Sequence, residues 1–318
     1  MRLPISQSQP AFKLDFLLSV LEMTVNNTPP VPRNVLIVIP CKDEEATVEE
    51  TLLSLLGQQG CDVQVVLVDD GSTDQTAAIV KGLASAHPNL TYVSSATNTQ
   101  RESGAGIAKV VKFGLSQVDL TSFDYVAKFD ADLVFPNGYI DACLAEFEKE
   151  EQLGLVGGSC SIESESGKWV TEKVTNDDHI RGALKLYRSS AFSDIGGIAP
   201  ATGWDTIDEH KLRFHNWTLK LIPDLHVKQY RETNAATDPQ KMARKIGLSL
   251  YHMRYNLIVV GISIAKRAFV GNSRLPFGGL FAGYLSGYKA NKPRFLTKEE
   301  SKLANKYRMN GYLKKLGL

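Results

Sequence analysis

Paired cysteines are what this chain of 318 residues most plainly lacks. Cys41, Cys61, Cys143 and Cys160 stand far apart, with none of the short paired spacings that hold zinc or build a disulfide framework. Three of them adjoin apolar segments, where a thiol serves as a small core residue, so reduced cysteines and a cytoplasmic setting are expected. A strong charge of either sign is missing too. The formal net charge of +1 leaves no global electrostatic footprint for nucleic acid, so no nucleic-acid partner is expected. Long apolar runs are also absent. Lys13 and Asp15 interrupt the stretch from Phe12 to Met23, no small-residue cleavage site follows it, and Leu257 to Ala265 is far shorter than the roughly 18 to 20 residues that cross a bilayer. These absences point away from secretion and from a spanning helix. With 43% hydrophobic and 22% charged residues, the chain is long enough to bury a substantial core in one large or two modest domains.

What is present is a repeating pattern of strand and helix. After the polar, proline-bearing segment Asn26 to Arg33, Val35 to Ile39 reads as a strand. Thr47-Val48-Glu49-Glu50 has capping-box spacing, and Val48, Leu52, Leu55 and Leu56 recur at helical spacing. Val63 to Val68 is a second strand. It is followed by the turn and cap Gly71-Ser72-Thr73-Asp74 and by a helix with Ile79, Leu83 and Ala86 on one face. Leu90 to Val93 is a third strand, Gly104 to Leu115 a glycine-started helix, Tyr125 to Phe129 a fourth strand and Asn137 to Glu150 another helix. Strict alternation predicts an α/β protein with a right-handed parallel sheet.

Two of these strands end in carboxylates: Val63 to Val68 runs into Asp69-Asp70, and the fourth strand into Asp130-Ala131-Asp132. Ligands of open α/β sheets sit outside the carboxyl ends of the strands, so both acidic pairs are expected at one cleft. Carboxylates are hard ligands suited to magnesium or manganese, which are commonly held by one or two of them plus substrate phosphates. The pattern predicts a phosphorylated substrate with a divalent ion.

Ile37-Val38-Ile39-Pro40 with Asp43-Glu44, then Val68-Asp69-Asp70-Gly71-Ser72-Thr73-Asp74, then Phe129-Asp130-Ala131-Asp132 occur in this order at ordinary separations. Together they make the chain resemble the family-2 glycosyltransferases, whose GT-A fold is a Rossmann-like, mostly parallel sheet flanked by helices. The resemblance covers roughly Asn34 to Asp224. It implies a catalytic domain at residues 34–237, divided into a nucleotide-sugar-binding half (34–135) and an acceptor half (136–237). Residues 1–33 are then an appendage and linker, and 238–318 a helical, basic extension. One departure is visible: Lys42-Asp43 precede Glu44 where the family usually has an aromatic residue and Asn.

By resemblance, Asp70 receives the nucleotide base, with Pro40 and Glu44 lining the same pocket. Asp130 lies near the ribose or sugar, and Asp132 ligates a Mn2+ or Mg2+ ion on the diphosphate of the donor. Asp69 and Asp74 read as turn and cap residues. Gly104-Ala105-Gly106 with Lys109 either brings backbone N–H groups and a cation to the substrate or simply starts a helix. Aligning the family's Gly-aromatic dipeptide on Asn216-Trp217 makes Asp205 the first choice for the base that deprotonates the acceptor hydroxyl, with Trp204 replacing the usual Glu. Asp208 is the second choice. Thr206 and Glu209 have capping-box spacing, which gives Glu209 a structural task. The segment from His179 to Arg188 resembles one in bacterial polysaccharide-assembly members. His179 and Arg181 are expected to face the cleft, and surface salt bridges or packing account for Lys185 and Arg188.

The implied reaction is inverting transfer of a sugar from a nucleoside-diphosphate sugar to a saccharide or lipid-linked saccharide, as in cell-surface polysaccharide biosynthesis. An Asp-x-Asp phosphohydrolase and a non-catalytic nucleotide-binding scaffold are the alternatives. The first would use Asp130 as nucleophile, but its motif should open the fold. The second is raised by Lys42 and Trp204. Beyond Asp238, the glycine-rich piece Leu275 to Tyr288 and the nine Lys or Arg against two Glu from Lys289 to Leu318 read in two ways. Either residues 255–318 lie on an anionic membrane surface, at the cytoplasmic face of the inner membrane, or they form a helical layer on the catalytic core.

Overall fold

The computed structural model describes residues 33–95, 104–164, 166–172, 179–231, 238–269, 275–315 and 317. All of the expected appendage and linker except Arg33 lies outside them. The elements run β1 (Asn34–Cys41), α1 (Val48–Leu56), β2 (Asp62–Asp69), α2 (Thr76–Ala86), β3 (Leu90–Ser94), α3 (Ala105–Leu115), a 3-10 turn (Leu120–Ser122), β4 (Tyr125–Phe129), β5 (Leu133–Val134) and α4 (Tyr139–Lys149). They continue with β6 (Leu153–Glu163), β7 (Trp169–Thr171), β8 (Leu184–Arg188), α5 (Ser189–Asp194), α6 (Trp204–Phe214) and β9 (Thr218–Gln229). Four helices follow: α7 (Pro239–His252), α8 (Leu257–Phe269), α9 (Phe277–Lys289) and α10 (Lys298–Lys315).

The described strands form one sheet in the order β3-β2-β1-β4-β8-β6-β9-β5, with β7 paired to β6. The β3-β2-β1-β4 half is parallel, as alternation predicts. Beyond it the sheet is mixed, because β8 pairs antiparallel with both β4 and β6, and β5 pairs antiparallel with β9. The parallel sheet expected from alternation is thus found in the β3-β2-β1-β4 half, within the GT-A arrangement that the resemblance implies. After β4 the chain turns back through the two-residue β5 and helix α4, so the rule for βαβ crossovers no longer governs the order.

Burial on both faces explains why β1 is an uninterrupted apolar run. Val35, Ile37 and Ile39 join Leu52 and Leu55 of α1 and Cys143, Leu144 and Phe147 of α4 in one core. Leu36 and Val38 face the other way, with Ala108 and Val111 of α3 and with Trp204 and Leu212 of α6. The capping box expected at Thr47 does not form. Thr47 makes no side-chain cap, and its hydroxyl donates to the carbonyl of Ala131 instead.

A third core joins Ile207 of α6 to Leu250, Val259, Val260, Ile264, Leu280 and Tyr284 of the C-terminal helices. Its tightest crossing is α7 on α9. Gly279, Gly283 and Gly287 recur every fourth residue, so α9 turns a bare backbone stripe toward α7. A Cβ at Gly283 would lie 2.1 Å from the carbonyl oxygen of Arg244, and one at Gly247 would lie 1.9 Å from that of Leu280. The layer meets α6 through His210, which hydrogen-bonds Tyr255 and packs edge-on against Tyr307. Among the described residues no helix is long and apolar enough to cross a membrane.

Two predictions follow from this layer. Gly283→Ala should destabilise the protein by about 1 to 3 kcal/mol, because overpacking against backbone outweighs the gain of about 1 kcal/mol in helix propensity. Gly261→Ala meets nothing within 4 Å and should stabilise by up to about 1 kcal/mol; urea midpoints of the two variants should move in opposite directions. The second concerns acid. Burial, helped by Arg308 and Arg213, pushes the His210 imidazole down to about 3 from an ordinary 6.5. Below pH 6.5 the unfolded chain takes up this proton and the folded one does not, so stability falls toward pH 3 by up to about 1.4 kcal/mol per pH unit. In His210→Gln the decline over that window should be shallower by one proton.

Candidate active site

The loops after β1 and β2 are bound to each other before any ligand is considered. Asp69, at the end of β2, accepts hydrogen bonds from the backbone N–H and hydroxyl of Ser72 and from the phenol of Tyr92. Asp74 accepts from the N–H groups of Thr76 and Glu45. Both are turn and cap residues, as expected. Asp43 takes a left-handed conformation, φ 52°, and its carboxylate accepts from the N–H and hydroxyl of Thr73. Asp tolerates that region better than most residues, which gives the Lys42-Asp43 departure a backbone rationale. Pro40 lies half-buried beside Val68 at the end of β1, and Asp70 accepts a hydrogen bond from Ser95 at 2.8 Å.

The turn Asp130-Ala131-Asp132 is tied on three sides. The N–H of Asp130 donates to the carbonyl of Ala183, leading into β8. The hydroxyls of Thr47 and Thr51 on α1 both donate to the carbonyl of Ala131, at 3.1 and 2.9 Å. The N–H of Tyr230, just past β9, donates to the carbonyl of Asp132. The sheet thereby brings Glu44, Asp130 and Asp132 to one region. Arg231 pairs with both oxygens of Glu44 and places its Nε 3.4 Å from Asp132 Oδ2. Burial, with the neighbouring charge of Asp130, pushes the carboxyl of Asp132 up to about 6.

Lys128 connects this turn to α6. It is buried in β4, its ammonium pairs with Asp130, and it lies 5.6 Å from the centre of the Trp204 ring. Lys185 lies 5.9 Å from the same ring and donates to the carbonyl of Asp205 at 2.6 Å. Trp204 is thus a buried plate facing two cations, in keeping with the attraction of ammonium groups to aromatic faces. A Cβ at Gly182 would lie 3.0 Å from this indole and 3.2 Å from Asp205 Cβ, so the close approach needs glycine there.

The three acidic side chains of α6 have different surroundings. The helix begins at Trp204 with Gly203 as its left-handed N-cap, so Thr206 and Glu209 do not form the expected capping box. Asp205 is in the first turn and is 34% exposed, with Oδ2 3.8 Å from His179 Nε2. Asp208 is 1% exposed and bonded to the Lys185 ammonium and the Tyr187 hydroxyl. Glu209, also buried, accepts from Lys185, from the N–H of Ile180 and from His179 Nδ1 at 2.9 Å. Burial raises the Asp208 carboxyl, while the Lys185 ammonium and the hydrogen bond from His179 outweigh burial and lower that of Glu209. Lys185 is fully buried, so of the surface salt bridge or packing expected for it the structure shows packing, with its ammonium shared by Asp208 and Glu209. Its position in β8, facing α6, is the cause. Arg188 does have a packing role, bonding the carbonyls of Phe147 and Glu150 at the end of α4.

The remaining expected residues divide. His179 stays beside Asp205, whereas Arg181 is 11% exposed and pairs with Glu172 at 2.7 Å and Gln229 at 2.9 Å. Gly104 packs against Thr202, which puts the start of α3 beside the entry to α6, with Gly106 in its first turn and Lys109 exposed. Lys128 and Arg231 were not among the expected residues. A lone Lys inside the apolar run Phe123 to Phe129 was a signal for the first; nothing marks Arg231.

With a GT-A arrangement and this site in place, the family is settled by a match of residues 36–200 to the model of glycosyl transferase family 2: the chain belongs to that family. Among curated relatives, the poly-beta-1,6-N-acetyl-D-glucosamine synthase of Staphylococcus epidermidis is 27% identical over 210 residues, 58% of this chain and 47% of the relative. The Staphylococcus aureus synthase is 25% identical over the same shares. The chain spans about half the length of the curated relatives it matches. Among solved structures, S. aureus TarS 1-349 superposes with a TM-score of 0.51 at 18% identity, covering 81% of this chain and 72% of TarS. The mannosyltransferase PcManGT of Pyrobaculum calidifontis, solved with GDP-Man and Mn2+, gives 0.52 at 16%, covering 94% and 88%. These likenesses establish the GT-A fold.

The α6 cluster yields a test of its own. Lys185→Met leaves Asp208 and Glu209 buried without their shared ammonium and should cost about 3 to 5 kcal/mol. Adding Asp208→Asn should restore part of that loss in a urea double-mutant cycle.

Proposed function

We propose that this protein is an inverting glycosyltransferase that moves a sugar from a nucleoside-diphosphate sugar to a saccharide or lipid-linked saccharide acceptor in cell-surface polysaccharide assembly. The observation that carries the reading is the linkage Asp130–Lys128–Trp204–Asp205. It joins the acidic turn expected to meet the donor to the one α6 carboxylate that solvent reaches. Asp205 is the base in this reading. Its carboxylate takes the proton of the acceptor hydroxyl while that oxygen attacks the anomeric carbon in line, and the bond from that carbon to the departing diphosphate breaks. Asp208 is closed off by Lys185 and Tyr187, and Glu209 by Lys185, Ile180 and His179, which disfavours both as the base.

Among the described residues no group of three or more His, Cys, Asp or Glu comes together as a metal cage. A hard cation held by one or two carboxylates and completed by diphosphate oxygens fits this donor set. Asp132, with Asp130 beside it, would hold Mn2+ or Mg2+, which when bound neutralises charge on the leaving diphosphate as a Lewis acid. Arg231 brings a guanidinium, a group suited to a bidentate grip on phosphate, to Asp132 and Glu44. Pro40, Glu44 and Asp70 would receive the nucleoside, and Gly106 and Lys109 would flank the donor. His179 would orient Asp205, and Arg181 would hold β9 in place behind the cleft. The PcManGT complex and a TarS complex with UDP-GlcNAc, with the relatives' names, make UDP-GlcNAc and GDP-Man the first donors to test.

The decisive experiment is thermal stabilisation by these two sugars, with and without manganese. A donor at 100 times its Kd stabilises by about 2.7 kcal/mol. Asp132→Asn should remove the manganese-dependent part. Asp205→Asn should keep donor stabilisation and lower transfer by about 10²- to 10⁴-fold. Undiminished transfer by Asp205→Asn would overturn the assignment of the base, and release of phosphate from simple phosphoesters would overturn the transferase reading.

A further inference from the structure

The C-terminal layer presents a face that the transfer reaction does not use. On α8, Leu257 is 75% exposed, Ile258 65% and Phe269 64%; on α9, Phe277 is 50% and Phe281 47%. The rings of Phe269, Phe277 and Phe281 stack in sequence, with centroids 6.1 and 6.3 Å apart, so the two helices contribute to one apolar surface. The orientation is fixed from behind. The stripe of Gly279, Gly283 and Gly287 is pressed on α7, which leaves Phe277 and Phe281 facing solvent. Clusters of large exposed apolar side chains mark sites of interaction.

Next to this face lies a basic cavity of about 480 Å³. Arg254, Lys302 and Lys306 line it together with Asn256, Ser301 and Asn305, and no carboxylate does. Asn256 joins cavity to face: its N–H donates to Asn305 Oδ1, its own Oδ1 caps the N–H of Val259, and the next residues in the chain are Leu257 and Ile258. The helices that build the face carry charge of one sign, and Glu299 and Glu300 follow only at the start of α10. From Pro239 to Lys298 the sequence contains no Asp or Glu, and Lys289 and Lys292 are exposed at the end of α9.

We propose that the α8–α9 face docks on an anionic phospholipid surface, with a headgroup phosphate seated in the cavity formed by Arg254, Lys302 and Lys306. Each helix has 13 residues, which suits lying along the interface and not crossing it. Leu257, Ile258, Phe269 and Phe277 enter the headgroup and acyl boundary, while the cations find their counter-charge in the lipid. A second copy of the chain fits this face poorly, because a symmetric pair would set cations against cations. The inference stands independently of which donor or acceptor the cleft takes.

The test is co-sedimentation of the full chain with vesicles of pure phosphatidylcholine and of phosphatidylcholine with phosphatidylglycerol, at low and high salt. Binding to the anionic vesicles, weakened by salt, is expected, with little binding to the neutral ones. Lys302→Glu with Lys306→Glu should weaken it at least tenfold, and Ile258→Glu with Phe277→Glu should abolish it. In every variant the urea midpoint and circular dichroism should match those of the parent, which separates lost docking from lost folding. Four outcomes would overturn the proposal: no binding to anionic vesicles; binding unchanged in both double variants; stabilisation by inorganic phosphate without vesicle binding, the mark of a free-anion site; or a dimer that the Glu variants dissociate without vesicle binding, the mark of self-association.

Discussion

The carbonyl of Ala131 is the point on which the arrangement of the acidic turn depends. It accepts hydroxyl hydrogen bonds from Thr47 and Thr51, while Ala183 and Tyr230 engage the backbone on either side. A loop carrying two acidic side chains would otherwise repel itself open, and Asp132 is buried at a cost visible in its raised pKa. Backbone anchoring offsets that cost without consuming the carboxylate oxygens. The acidic groups therefore stand in fixed positions on strand ends and helix starts, which is the condition for electrostatic preorganisation.

The same division of labour recurs on α6. Asp208 and Glu209 share one buried ammonium, that of Lys185, and set the helix against β8. Asp205, one turn earlier, keeps its carboxylate at the surface while its carbonyl is bonded to the same Lys185. A helix with three acidic residues in five positions thus uses two for placement and leaves the third open to solvent. The buried pair is better understood as fixing orientation than as adding stability.

Much of the parallel half was legible because strand residues buried on both faces leave an apolar signature, and because an Asp at a strand end has few structural duties other than turn formation. Asp69 and Asp74 were assigned correctly for that local reason. What was not legible depended on contacts distant in sequence. The spacing around Thr47 and Thr206 fits a capping box, yet Thr47 is claimed by Ala131 and Thr206 lies inside a helix that starts earlier, at Trp204. For Lys185 surface salt bridge and packing stayed open, since a sequence shows charge and not the β8–α6 packing that encloses it. Arg231 reaches Glu44 across 187 positions, a pairing that no local pattern encodes. The mixed half of the sheet escaped notice because its order is set by antiparallel returns instead of repeating crossovers.

The anchoring of the acidic turn by Tyr230 has a consequence for biosynthesis. Strands β1 to β4 leave the ribosome early and carry most of the groups expected to meet the nucleotide, but the segment that fastens Asp132 is translated last among the sheet elements. Until β9 has emerged and paired with β6 and β5, the turn lacks one of its three ties. A nascent chain consequently holds an unfinished cleft through most of its synthesis, and the acidic turn gains its last anchor only with closure of the sheet.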